Sequence, residues 1–166
     1  MNFDKLVPGS EIAYSGELLV MRDAAQKRIQ QFLKAGKEIN VDFDGKLVFY
    51  AGPAKTPTGR PIGAIGPTTS ERMDGYLEML FQLGVKGTIG KGRRSKQAGR
   101  MCQKYKGVYF LTPSGSAAAL SLRVKEHRVI LFPDLQSEAV RLLRVEKFPL
   151  VVAIDIQGND ISRINR

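Results

Sequence analysis

The chain has one cysteine and one histidine in 166 residues. A lone Cys102 excludes an internal disulfide and any all-cysteine metal site within the chain. His127 alone argues against a histidine–cysteine zinc site and leaves a serine nucleophile only one candidate base. So little cysteine fits a reduced, cytoplasmic setting. Long apolar runs are also missing. The best of them, Pro149 to Ile154, is far too short to span a bilayer, and the opening MNFDKLVPGS carries Asp4 and no apolar segment of the signal-peptide kind. No G-x-G-x-x-G follows a strand pattern. GTIGKGRR (Gly87 to Arg94) fails as a phosphate loop, because Val85 stands where the first glycine belongs and Gly92 where Ser or Thr should follow the lysine.

Acid is missing in one long interval. Between Glu78 and Glu126 there is no Asp or Glu but there are ten basic residues, and the rest of the chain balances at sixteen of each sign. The net charge of +10 is therefore local. Such a stretch suits nucleic acid, an acidic partner or a small anion, or is simply a solvated helix face with lysines on loops. It lacks the aromatic interleaving of a nucleic-acid surface, with only Tyr105 and Tyr109 nearby.

With 43% hydrophobic residues the chain is long enough to bury a core, and residues 1–166 read as one domain. Its organising stretch is Gly63 to Gly92. Thr68 and Glu71 have the spacing of a capping box, and Met73, Tyr76, Leu77, Leu80 and Gly84 follow helical spacing behind it, with Gly84 as the stop. A helix start there offers free amides to an anion. Arg72 adds a planar fork suited to a carboxylate, and Thr68, Thr69 and Ser70 add hydroxyls. An ordinary capped core helix remains the alternative.

Upstream, residues 1–16 read as a lead-in and Glu17–Met21 as a strand. Arg22 then sits at a strand-to-helix junction, with Asp23 as the helix cap and Gly36 as its end. Lys46–Tyr50 is a strand, followed by a long Pro/Gly/Thr loop over 51–63 of the kind that is often functional. Downstream come a basic helix (94–105), a strand (107–112), a small-residue helix start (115–122), strands over 128–132 and 150–156, and an ambiguous 138–145. Strands alternating with helices predict an α/β domain with a mixed, largely parallel sheet. Arg22, Thr68, Thr69, Arg72 and Lys91 are anion-binding candidates with no acid–base pair or metal site beside them.

These residues carry a resemblance. MRDAAQKR (21–28), YAGPAKTPTGRPIG (50–63), GPTTSERMDGY (66–76), GVKGTIGKG (84–92), GSAAAL and FPLVVAIDIQGN are similar, in order, to the beta subunit of class I iron–sulfur fumarate hydratases and L-tartrate dehydratases, which is also the C-terminal domain of their single-chain relatives. The resemblance implies a swivelling β/β/α fold and half of a hydro-lyase, with a place in the tricarboxylic acid cycle for the fumarate form. It implies an alpha subunit whose cysteines hold a 4Fe-4S cluster that acts as a Lewis acid on the substrate hydroxyl. It implies a dicarboxylate substrate and a hetero-oligomer, or a homodimer when the chain is isolated, with no nucleic acid or membrane partner. Residue by residue, Arg22, Thr69, Arg72 and Lys91 would bind substrate, and Thr68 would both bind it and transfer the proton. Two positions depart from the pattern: Gln26 stands where histidine is usual, and Pro113-Ser114-Gly115-Ser116 replaces a paired-glycine turn. A basic nucleic-acid-binding module and a non-catalytic partner-binding α/β domain are the competing readings.

Overall fold

Strands with apolar residues at nearly every position need cover on both faces, and this requirement shapes the chain. The computed structural model describes residues 1–164; Asn165 and Arg166, within the expected 1–166 domain, lie outside the described residues. The strands are β1 (Glu11–Met21), β2 (Leu47–Tyr50), β3 (Gly87–Gly90), β4 (Val108–Leu111), β5 (Val124–Leu131) and β6 (Val140–Ile154). Their order is β1-β2-β3-β4-β6-β5, and β1 also pairs with β6. Five strands therefore close into a ring, from which β5 hangs on β6. The sheet is mixed, but "largely parallel" needs correction. The pairs β1–β2, β2–β3 and β3–β4 are parallel, whereas β6 runs antiparallel to β1, β4 and β5.

Alternation along each strand sorts the core. Leu18, Val20, Leu47, Phe49, Phe110, Leu143, Phe148 and Val152 pack together inside the ring. Leu19, Met21, Val48 and Tyr50 face outward beneath α1 (Asp23–Lys34) and α2 (Asp74–Gln82), whose Ala25, Ile29 and Leu80 cover them. Leu77 and Phe81 of α2 meet Ala98 and Cys102 of α3 (Lys96–Tyr105) over Tyr109 and Ile154. The short helices α4 (Ala117–Ser121) and α5 (Ile161–Ile164) complete the described chain.

Two strands are longer than the sequence implies. The supposed lead-in holds the first half of β1, where exposure alternates from Glu11 to Glu17 and a bulge falls between Tyr14 and Gly16. The ambiguous 138–145 and the strand at 150–156 are one strand, β6. Pro149 does not break it, because β5 flanks β6 only up to Val145 and β4 only from Val151. Proline is tolerated where one flank of a strand is free.

Phe148 is fully buried and meets Phe49 edge-on, with ring centroids 5.4 Å apart. Phe148→Ala is expected to cost about 3–5 kcal/mol, lowering Tm by roughly 6–20 °C. A loss below about 1 kcal/mol in thermal or urea unfolding would contradict this packing.

Candidate functional site

Parallel β1, β2 and β3 end on the same side of the sheet. Arg22 follows Met21 there, Ala51 and Gly52 follow Tyr50, and Lys91 follows Gly90. A short extended segment, 67–70, is stitched across these strand ends. Ala51 bridges Pro67, and Thr69 bridges Lys91. The Thr68 amide donates to Tyr50 O (2.8 Å), the Lys91 amide to Thr68 O (3.2 Å) and the Ser70 amide to Lys91 O (3.1 Å). Thr68, Thr69 and Lys91 are thereby brought together.

This overturns the capping box. Thr68 caps no helix, since its backbone is committed to strand-like pairing. Glu71–Met73 form a 3-10 turn, and α2 begins only at Asp74, with no side-chain cap. Arg72 therefore does not lie in the first turn of a capped α-helix. Its Nη2 donates to Thr68 Oγ1 (3.1 Å) and to Asp23 Oδ2 (3.1 Å). Asp23 is likewise not a cap: Arg22 holds the N-cap position of α1, and the Asp23 carboxylate serves Arg72. Arg22 is half-buried, with Nε 3.7 Å from Glu138 Oε1. Four of the five expected residues are thus joined directly, and Arg22 joins them through its neighbour Asp23. Of the acids beside the two arginines, Asp23 belongs to the MRDAAQKR segment and Glu138 carries no motif. Thr69, Arg72 and Lys91 are exposed, so the cluster is an open surface. A cleft of about 760 Å³ bordered by Leu33, Phe43 and Leu83 lies instead near the far ends of α1 and α2.

Beneath the cluster is a polar network that sequence reasoning missed. Arg94 has no exposed side-chain surface, and its Nε donates to Asp74 Oδ1 at 2.6 Å. Its Nη1 donates to Thr88 Oγ1 (2.8 Å), and its guanidinium lies over the rings of Tyr50 (5.3 Å) and Tyr109 (5.1 Å). Burial opposes its charge, but Tyr50 and Asp74 outweigh burial and raise its pKa. The Tyr109 hydroxyl lies 3.0 Å from Ser70 Oγ and 2.9 Å from Gly92 O. Burial pushes that phenol up to about 12. The network thus grips both sides of the 67–72 segment and the Lys91 turn.

The basic interval does not form one patch. Arg94 is internal, Lys104 pairs with Glu78 (2.8 Å), and Lys86 and Lys91 sit at opposite ends of β3. Cys102 is buried on α3, where burial pushes its thiol up to about 12, as suits a packed rather than a reactive cysteine. His127 is half-buried; burial, then Arg141, lowers its pKa. Among the described residues no group of three or more His, Cys, Asp or Glu is gathered to hold a metal ion, and no helix is long and apolar enough to cross a membrane. A single buried cysteine does not fit an iron–sulfur cluster, which needs several thiolate ligands. Of the two departures, Gln26 is fully buried and its amide lies against Arg22 O (3.4 Å) and Met73 Sδ (3.2 Å). The 113–116 turn leads into α4, where Ala117 O accepts from the Ile65 amide.

Two arginines, a lysine and two threonines thus lie together beside the ends of parallel strands in an α/β domain. The chain belongs to the family described as Fumarase C-terminus, whose match spans residues 1–164. It is 37% identical over 153 residues to "Fumarate hydratase class I, anaerobic" of Escherichia coli strain K12, covering 91% of this chain and 28% of that protein. It is 40% identical over 154 residues to "Fumarate hydratase 1, mitochondrial" of Leishmania major, with coverage of 91% and 28%. The chain therefore spans little more than a quarter of those fumarate hydratases. It is 32% identical over 163 residues to "L(+)-tartrate dehydratase subunit beta" of Escherichia coli strain K12, covering 95% of this chain and 80% of that subunit.

The Arg94–Asp74 pair is the foundation that can be tested on the chain alone. Asp74→Asn leaves a buried guanidinium uncompensated and is expected to cost about 3–5 kcal/mol of stability in urea unfolding. A change within about 0.5 kcal/mol would show that the pair does not hold this region.

Proposed function

We propose that residues 1–166 form the beta-subunit domain of a two-subunit hydro-lyase. Its reaction is the reversible hydration of fumarate to malate, or the dehydration of a related hydroxy dicarboxylate such as tartrate. One observation carries the reading: the Thr68 hydroxyl accepts a hydrogen bond from Arg72 at the strand ends, with Thr69, Lys91 and Arg22 around it. A dicarboxylate needs cations at both ends, which Arg22 and Arg72 supply with planar forks and Lys91 with a point charge. A threonine hydroxyl is a poor base unaided. A guanidinium N–H on Oγ1 stabilises the alkoxide side of a proton transfer and leaves the hydroxyl's own proton free for donation. Thr68 Oγ1 then moves the proton at the carbon next to the one bearing the hydroxyl, and Thr69 helps to seat the substrate.

The reading leaves the 4Fe-4S cluster, which supplies the Lewis acid for the leaving hydroxyl, to an alpha subunit. It treats the exposed cluster of residues as the face that this subunit covers, and the chain alone as inactive. It carries with it the swivelling β/β/α assignment, a hetero-oligomer and a cytoplasmic setting. Division of the basic residues between the two ends of the sheet favours it over a nucleic-acid surface.

In the assembled enzyme, Thr68→Ala is expected to lower kcat and kcat/KM together, by about 10²–10⁴-fold. Because Thr68 caps no helix, the same change is expected to cost less than about 1 kcal/mol of stability. Arg72→Lys keeps the charge but loses the fork, so kcat/KM should fall by roughly 10- to 150-fold, the equivalent of about 1.5–3 kcal/mol for a charged hydrogen bond. Wild-type turnover in both variants, in a complex holding both subunits, would remove these residues from the chemistry.

A further inference from the structure

The loop between β5 and β6 forms one wall of the Arg22 site, and its construction assigns it a role. Pro133–Glu138 run in 3-10 turns broken at Gln136, which adopts φ 52° and ψ −112°. Arg28 of α1 ties down one end, donating from Nη1 to both oxygens of Asp134 at 2.8 Å. Arg141 ties down the other. It is 8% exposed, and its Nη1 donates to Ser137 O (3.1 Å) and Ala139 O (3.0 Å) while its Nη2 donates to Gln136 O (2.6 Å). A buried cation is thus committed to three carbonyls of one short loop.

The loop lands on Arg22. A Cβ placed on Gly52 would come within 2.9 Å of Ser137 O and 3.1 Å of Arg22 Cδ, so the Arg22 arm lies close along the glycine where β2 ends, beside the loop carbonyl. Arg22 Nε is buried and makes no hydrogen bond among the described residues. Glu138 Oε1 is the carboxylate oxygen beside it, at 3.7 Å, yet a third of the Arg22 side chain stays exposed. With Nε turned inward toward Glu138, the exposed surface belongs to the remainder of the side chain.

We propose that Glu138 is a positioning residue for substrate binding: it holds the Arg22 guanidinium by its Nε edge and leaves the terminal Nη groups to the carboxylate of the ligand. The proposal rests on the hydro-lyase reading for the identity of that ligand. A free arginine side chain gives up much rotamer freedom when it is fixed, so holding it in place before binding favours affinity. Asp23 plays a different part, since it engages the exposed Arg72 rather than the Nε edge of Arg22.

The test pairs Glu138→Gln, which keeps the side chain's size but removes its charge, with Glu138→Ala, which removes both. In the isolated, arginine-¹⁵N-labelled chain, the Arg22 Nε–H resonance is assigned by its loss in Arg22→Lys, and its exchange with solvent is measured. Exchange should be slow in the wild type and faster by roughly tenfold or more in both variants. In the assembled enzyme both variants should raise KM for the dicarboxylate about tenfold with kcat within about threefold. Unchanged Arg22 exchange in E138A overturns the proposal, as does an E138Q variant indistinguishable from the wild type. A wild-type complex that turns over no dicarboxylate refutes the hydro-lyase reading, and the exchange measurement then decides the role of Glu138 on its own.

Discussion

A guanidinium with no exposed surface must be paired and hydrogen-bonded, or it unfolds its surroundings. Arg94 meets that demand by drawing on almost every element beneath the site. It takes Asp74 from the start of α2, Thr88 from β3, and the rings of Tyr50 from β2 and Tyr109 from β4. Asp74 also accepts from the Ser95 amide at the head of α3, and the Tyr109 hydroxyl reaches Ser70 and Gly92 O. One buried charge thus fixes how the strand ends, the 67–72 segment and the Lys91 turn sit relative to one another. Groups that act on a substrate need placement to within a fraction of an ångström, and here the precision comes from the layer below the exposed side chains.

Both arginines of the exposed layer are paired before any ligand arrives. Asp23 sits on Arg72 and Glu138 beside Arg22. A bound dianion would therefore enter a site whose arginines already have partners and would exchange contacts with Asp23 and Glu138. The openness of the surface has the same meaning. Strong electrostatic contacts need water excluded, and the described chain alone leaves Thr69, Arg72 and Lys91 in solvent.

The order of strands and helices was legible because its signals are local. Gly36 and Gly84 follow their helices with φ of 68° and 100°, and Met73, Leu77 and Leu80 of the expected second stripe are buried. The cluster of Arg22, Thr68, Thr69, Arg72 and Lys91 was legible through motifs. What failed was local reasoning where tertiary pairing wins. The T-x-x-E spacing at Thr68 and Glu71 favours a cap, but the Tyr50 carbonyl and the Lys91 backbone claim the segment first. Nothing in spacing distinguishes Arg94 from the nine other basic residues around it. Its acid lies 20 positions away and the Tyr50 hydroxyl 44, so only the folded strands bring them together. Arg141 escaped for a different reason: its partners are close in sequence but are backbone carbonyls that any sequence would supply.

The central claim is that this chain supplies the carboxylate-binding and proton-transferring half of a site completed by another subunit. It is tested most directly by anaerobic reconstitution with the cluster-bearing alpha chain, followed by loss of the fumarate double-bond absorbance. The account predicts turnover only when both chains are present, and no turnover from this chain by itself. Hydration catalysed by this chain alone, or by the alpha chain at the same rate with and without it, would contradict the account.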